Sequence, residues 1–320
     1  MYFNIGRASP TMLKYKIRPL ESATLAPVKR AALTLVALSL CLAPPLSGQR
    51  AGRRLYVSAT DGSGAPVLNL SATDFHVVEN GVPREVLRAT RGTGPMRIAL
   101  VVDSSGAMAP LLNNLRAGLT TFLDELPGEH EITFISTGGQ IRIRQPVTTD
   151  RQKLKTAVSL FASDGGANSL IETMIEVDRR FLNGGPGQWP VLVLVTTDNG
   201  ATAWEPNHDR FNRFVTGFVE RGGAAHAIVV HGNIRTGGII TNFIANVVKN
   251  TGGFYETMAI TNMLPDKMKL LAEHIDANHK AMANWYEVEF AGDDRARPPR
   301  VQVGTTREGV HVQMSMRRPF

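Results

Sequence analysis

One cysteine in 320 residues, Cys41, is the first thing this sequence is short of. With a single thiol the chain can close no internal disulfide, so its stability has to come from a buried core. Several chemical signatures are missing as well. No Gly-x-Gly-x-x-Gly or P-loop follows the first buried strand, which argues against a nucleotide site. No Gly-x-Ser-x-Gly elbow surrounds Ser104 or Ser105, which argues against a serine hydrolase. Nothing beyond residue 43 is apolar enough to cross a bilayer. The net charge of +7 is not a nucleic-acid footprint either: residues 1–50 hold seven Lys/Arg against one Glu, which is +6 of it. His226 and His231 stand on one predicted strand and at its end, and His274 and His279 lie five apart on a helix. Neither spacing puts two imidazoles on one face, and with no cysteine to help, the local pattern points away from zinc.

What is present begins with a leader. Lys29 and Arg30 precede an apolar run from Ala31 to Ala43, followed by Pro44, Pro45 and small residues. A basic flank, a short apolar core and a small-residue end describe a secretory signal peptide over residues 1–48, with an uncleaved amino-terminal anchor as the alternative. The stretch before it is long for such a signal, which makes Met12 a second candidate start. Cleavage fits after Ala43 or Gly48. Leu40 is not the small residue that a lipidated Cys41 would want before it. The expected location is therefore extracytoplasmic, periplasmic or secreted, with membrane contact only through residues 31–43 if they stay attached.

The centre of the chain is the stretch Arg97 to Met108. Ile98 to Val102 is an unbroken apolar run, the pattern of a strand buried on both faces in a parallel sheet. It ends in Asp103-Ser104-Ser105-Gly106, and helical periodicity follows from Ala109 to Leu126. A polar loop at the carboxyl end of a buried strand is where open α/β sheets put their ligands. Asp103 and Ser105 have oxygens that suit one hard cation; they could equally cap the next helix. Further strands are predicted at Glu131–Ser136, Pro190–Thr197, Ala224–Val230 and Phe254–Tyr255. Helices are predicted from Asp150 to Phe161, Phe211 to Glu220, Ile239 to Val248 and Met263 to Ala283. Alternation in Ile141–Arg144 reads as an edge strand that Arg142 and Arg144 protect against further pairing. Strands alternating with helices give a Rossmann-like order over residues 95–283.

Both ends of the chain read differently. Leu55–Ala59, Pro66–Leu70, Asp74–Glu79 and Val82–Arg88 are short strands, with a hairpin turn at Asn80-Gly81. This 53–92 segment is too small to bury a core alone. Trp285–Phe290, Arg300–Val303 and Val310–Met314, within residues 284–316, alternate as half-exposed strands. One β-sandwich built from both ends, with the α/β region inserted, resolves both shortages.

These motifs carry a resemblance. Asp103-x-Ser105 resembles the first loop of the metal-ion-dependent adhesion site in von Willebrand factor A domains, with Ala107 where that motif has its second serine. The Leu55-x-Val57 strand, the Asp61-Gly-x-Gly64 turn and Asp74-Phe-x-Val-x-Glu-Asn-Gly81 resemble bacterial exported proteins related to von Willebrand factor A, over roughly residues 53–316. The resemblance implies an α/β fold with a mostly parallel central sheet and helices on both faces, inserted in a small β-sandwich. It implies a metal site of Asp103, Ser105, Asn168 (Ser169 if the loop shifts by one) and Asp198. Asn168 and Ser169 are also good helix N-caps. Asp103 and Asp198 would end neighbouring strands, and two converging carboxylates call for a cation or compensating donors. Mg²⁺ suits them, with Mn²⁺ or Ca²⁺ as alternatives. The expected function is a protein-binding module of adhesion or scaffold type, with an Asp or Glu side chain of an unknown partner protein completing the ion's shell. The alternative is a metal-free structural interaction domain. A metal-dependent hydrolase is the weaker class, because no general base is evident; neither nucleic acid nor nucleotide is expected as a partner.

Overall fold

The computed structural model describes residues 52–92, 94–183, 189–199, 207–231, 238–293 and 300–319. All of them belong to a unit spanning Arg50–Phe320. The leader, Cys41 and the candidate starts lie outside the described residues.

In chain order the first strands are β1 (Gly52–Thr60), β2 (Phe75–Glu79), β3 (Val82–Arg84) and β4 (Val86–Arg91). The α/β region follows with β5 (Met96–Val102), α1 (Leu112–Glu125), β6 (Glu131–Ser136), β7 (Arg142–Thr148), α2 (Arg151–Ser159) and α3 (Leu170–Val177). It continues through β8 (Trp189–Thr197), α4 (His208–Glu220), β9 (Ala224–Val230), α5 (Ile239–Thr251), β10 (Tyr255–Met258) and α6 (Leu264–Ala281). β11 (Trp285–Ala291), β12 (Val301–Thr305) and β13 (His311–Ser315) complete the order.

The apolar run of β5 is buried on both faces because it lies mid-sheet, in the order β10-β9-β8-β5-β6-β7. Every pairing is parallel except β6 with the edge strand β7. Ile98, Leu100 and Val102 pack on one face with Leu115, Phe122, Leu154 and Leu271, so α1, α2 and α6 cover that side. Ala99 and Val101 face the other way, toward Met174, Phe218 and Ile244 of α3, α4 and α5. The Rossmann-like sheet with helices on both faces is what the chain forms. Because β5 is flanked by β8 on one side and β6 on the other, chain order reverses at β5/β8. That is the switch point where α/β sheets open a crevice at their carboxyl ends.

The first helix starts later than its periodicity predicts. Gly106–Leu111 is a 3₁₀ segment containing Pro110, and α1 begins at Leu112. Proline has no N–H to donate and disfavours the α conformation of the residue before it, so regular winding waits until it is passed. Asp150 caps α2 as expected, its carboxylate accepting from Gln152 N and Lys153 N at 3.0 and 3.1 Å.

The two chain ends share one sandwich. One sheet runs β13-β1-β11-β4 and the other β12-β2-β3, so each contains strands from both ends. Leu55, Val57, Phe75, Val77, Tyr286, Val288 and Phe290 form its core. Asn80 (φ +52) and Gly81 (φ +81) make the β2–β3 hairpin turn. The strand predicted at Pro66–Leu70 is reduced to a bridge between Thr60 and Pro66. Here the Tyr286 hydroxyl takes the place of a neighbouring strand, donating to Val67 O (2.8 Å) and accepting from Leu70 N (3.0 Å). Arg318 joins the sandwich to the α/β region: its guanidinium lies 3.9 Å from the Trp189 ring centre, and its Nε donates to Gly222 O. Among the described residues, no helix is long and apolar enough to cross a membrane.

Candidate functional site

The loops after β5, β6 and β8 and the segment leading into α3 meet at the switch point. Gly138 lets them close up, since a Cβ there would stand 2.5 Å from Ser104 O. Its N–H donates to Ser104 Oγ (2.8 Å), Asp164 N donates to Ser104 O (2.8 Å), and Gly139 N to Ala167 O (2.8 Å). These cross-ties give the loops one fixed arrangement.

Asp103 sits at its centre with no exposed surface. Its Oδ1 accepts from Ser105 N at 2.8 Å. Its Oδ2 accepts from Asn168 Nδ2 (2.7 Å), Thr196 Oγ1 (2.9 Å) and Thr197 N (3.5 Å). Burial pushes the Asp103 carboxyl above its ordinary range, against the downward pull of Ser105, Thr196 and Thr197. Asn168 is fixed from its other side, where its Oδ1 accepts from Thr137 Oγ1 and Leu170 N, both at 3.0 Å. It therefore does the N-cap's work for α3, while Ser169 Oγ donates to Thr137 O. The capping reading of Asp103 and Ser105 does not hold in the same way. Asp103 accepts from the loop amide of Ser105, and Ser105 Oγ, though buried, has no hydrogen-bond partner.

Asp198 ends β8 as predicted, and its buried carboxylate pairs with His231 Nδ1 at 2.5 Å. Burial, and then the Asp198 charge, push the nearby Tyr255 phenol up. The structure thus brings Asp103, Ser105 and Asn168 into one hydrogen-bonded cluster and engages Asp198 with the end of β9. Arg142 and Arg144 do lie on the edge strand, but both turn to Asp164, Arg144 in direct contact and Arg142 at 3.4 Å. Arg144 also donates to Ser136 Oγ (2.8 Å), and Ser104 Oγ to Asp164 (2.7 Å). Burial alone would raise the Asp164 carboxyl; the Ser104 hydroxyl and the two guanidiniums outweigh it and hold it below its ordinary value.

No family model and no curated protein matches the chain. Solved structures do resemble it. A von Willebrand factor type A protein from Catenulispora acidiphila is 11% identical, with a TM-score of 0.46, over 71% of this chain and 50% of that one. Proximal thread matrix protein 1 from the mussel byssus, with a zinc-occupied MIDAS motif, is 14% identical, with a TM-score of 0.45, over 67% of this chain and 50% of that one. BatB from Bacteroides thetaiotaomicron is 16% identical, with a TM-score of 0.43, over 57% of this chain and 98% of that one. The chain spans about half the length of the first structures it matches.

Two members of the cluster escape a reading of the sequence. Thr196 stands in an apolar strand with no motif to mark it, yet donates to Asp103. Asp164 opens a glycine-rich loop, and only the fold brings two arginines to it. The unpartnered Ser105 hydroxyl makes a prediction of its own. Ser105→Ala is expected to leave stability unchanged or raise it by up to about 1 kcal/mol, because it removes a buried group with no hydrogen bond to lose. Urea unfolding checks this; a loss above about 1 kcal/mol would reveal a partner for that oxygen.

Proposed function

We propose that the chain is an exported, non-catalytic protein-binding module of adhesion or scaffold type, which meets its partner through the loop face without a resident ion. The observation that carries this reading is the shell around Asp103. Its carboxylate already accepts from one side-chain amide, one hydroxyl and two backbone N–H groups. A hard cation needs oxygen lone pairs turned toward it. Asn168 instead turns its N–H₂ inward, and Ala107 has no oxygen to give. The cluster solvates an anion, and as arranged it does not fit Mg²⁺. Export is supported by the leader pattern of residues 29–48, and the non-catalytic reading by the engagement of Asp103 and Asp198 in internal hydrogen bonds.

A second reading keeps the ion. In it Mg²⁺, Mn²⁺ or Ca²⁺ binds at Asp103, Ser105, Asn168 and Asp198, and a partner's Asp or Glu completes the shell. One observation favours it, the buried Ser105 oxygen with no hydrogen-bond partner.

Calorimetric titration of the EDTA-stripped chain with Mg²⁺ and Mn²⁺ separates the two. The first reading expects no saturable heat and no change in melting temperature at millimolar metal. It also expects the double substitution Ala107→Ser, Asn168→Thr to gain Mg²⁺ binding, by restoring two oxygens. Saturable binding by the parent chain that disappears in Ser105→Ala would overturn it in favour of the second.

A further inference from the structure

We propose that Glu129, His130 and His279 form a binding site for a divalent transition metal of the zinc class, at the pole of the α/β region opposite the loop face. Glu129 and His130 immediately precede β6, near Met96 and Trp189, which begin β5 and β8. His279 comes from the last turn of α6. One ligand atom from each of the three lies within 4.8 Å of the others. Two imidazoles and a carboxylate are a donor set that zinc accepts.

Two independent features point to a ligand here. The His130 side chain is fully buried, yet its Nε2 has no hydrogen-bond partner. On the same helix, one turn before His279, Asp276 Oδ1 is a buried oxygen with no hydrogen-bond partner, while its Oδ2 accepts from Lys280 Nζ at 2.6 Å. His279 already has an outer partner, since its Nε2 lies 2.9 Å from Gly94 O. Donation to that carbonyl fixes the tautomer and leaves the Nδ1 lone pair free, the outer-shell arrangement common to metal-bound histidines.

His130 asks for one adjustment. Met96 N donates to its Nδ1 at 3.3 Å, which puts the neutral ring's proton on Nε2. Ligation through Nε2 moves that proton to Nδ1 and gives up this long contact. The charges nearby are mixed: Glu129 is an exposed acid, Asp276 is paired with Lys280, and the Arg151 guanidinium is turned to the carbonyls of His130 and Pro127. A tetrahedral shell at about 2.0–2.1 Å needs its donors roughly 3.3 Å apart. The exposed Glu129 side chain is free to swing in and close that gap. The bound metal would tie the loop ahead of β6 to the end of α6, a pair that no local histidine spacing reveals.

The test is Zn²⁺ titration of the untagged, EDTA-stripped full chain by calorimetry, with Co²⁺ visible absorption as a second readout. One equivalent should bind and raise the melting temperature. Glu129→Gln and His279→Gln should each weaken binding about tenfold or more while the metal-free protein melts as a folded chain. Glu129 is exposed, so its variant stays informative even if His279→Gln unfolds. Ser105→Ala should leave zinc binding unchanged, which separates this pole from the loop face. No binding at millimolar Zn²⁺, binding indifferent to Glu129→Gln, or binding lost in Ser105→Ala would each overturn the proposal.

Discussion

Asp103→Ala is expected to remove about 3–5 kcal/mol of folding stability, the cost of taking a buried acceptor away from four neutral donors. Alanine leaves Ser105 N with no side-chain acceptor, and reduces Asn168 Nδ2 to its bond with Thr196 Oγ1 and Thr196 Oγ1 to a long contact with Thr197 O, in a cluster that is almost wholly buried. An orphaned buried amide costs roughly 1–3 kcal/mol, and the lost bonds of Asn168 and Thr196 to the carboxylate add to it. The fold limits any relief: Asn168 is also held by Thr137 and Leu170, so it cannot turn away freely. Asp103→Asn should be milder, because one oxygen remains, though its new N–H₂ must face a donor. Urea unfolding of the three proteins checks the order alanine below asparagine below parent. A loss under about 1 kcal/mol for alanine would mean that the carboxylate is not the acceptor on which the loops converge.

Acid should be felt most through His226. This ring lies within β9, wholly buried, and its Nδ1 accepts from Phe254 N at 3.0 Å. Burial, and then the neighbouring His274, hold its pKa down to about 3. In the unfolded chain the same imidazole titrates near 6.5. As pH falls below 6.5 the unfolded chain takes the proton first, so stability is full above that value and is lost toward pH 3. At 1.36 kcal/mol per pKa unit the loss is about 3 kcal/mol by pH 4.5 and about 5 kcal/mol in full. His226→Asn places a side-chain oxygen where Nδ1 accepts its hydrogen bond and has nothing to titrate. Its unfolding free energy should fall less steeply between pH 6.5 and 4.5 by that same 3 kcal/mol. Parallel slopes in the two proteins would show that the acid sensitivity arises elsewhere.

Elements whose pattern is set by their own burial were legible from the sequence. Ile98–Val102 and Val191–Val195 read as strands covered on both faces because both faces are covered, and Asn80-Gly81 reads as a turn because its backbone needs positive φ. The shared sandwich followed from size alone, since neither end has apolar surface enough for a core. What stayed hidden depends on where a side chain points after folding. Asn168 was legible as an oxygen near Asp103, but which end of its amide faces inward is set by Thr137 and Leu170. Arg144 alternates like any edge residue, and only the approach of the glycine-rich loop turns it to Asp164. Pro66–Leu70 has the composition of a strand, yet Tyr286, more than two hundred residues later, satisfies its backbone in place of a partner strand. His130 and His279 are invisible to any spacing rule, because they come together only when α6 packs across the sheet.

The interleaving of β1 between β13 and β11 sets an order of events in time. β1 is translated early, but both of its hydrogen-bonding neighbours come from the far end of the chain. At about 5–20 residues per second, roughly ten to fifty seconds separate β1 from the arrival of β11. Through that interval the apolar face of Leu55, Val57 and Ala59 lacks both neighbouring strands, while every strand of the α/β region gains its neighbours before β11 emerges. The nascent chain therefore carries a sticky, unmated strand until its last segments emerge, and a messenger cut short before β11 would leave it exposed for good.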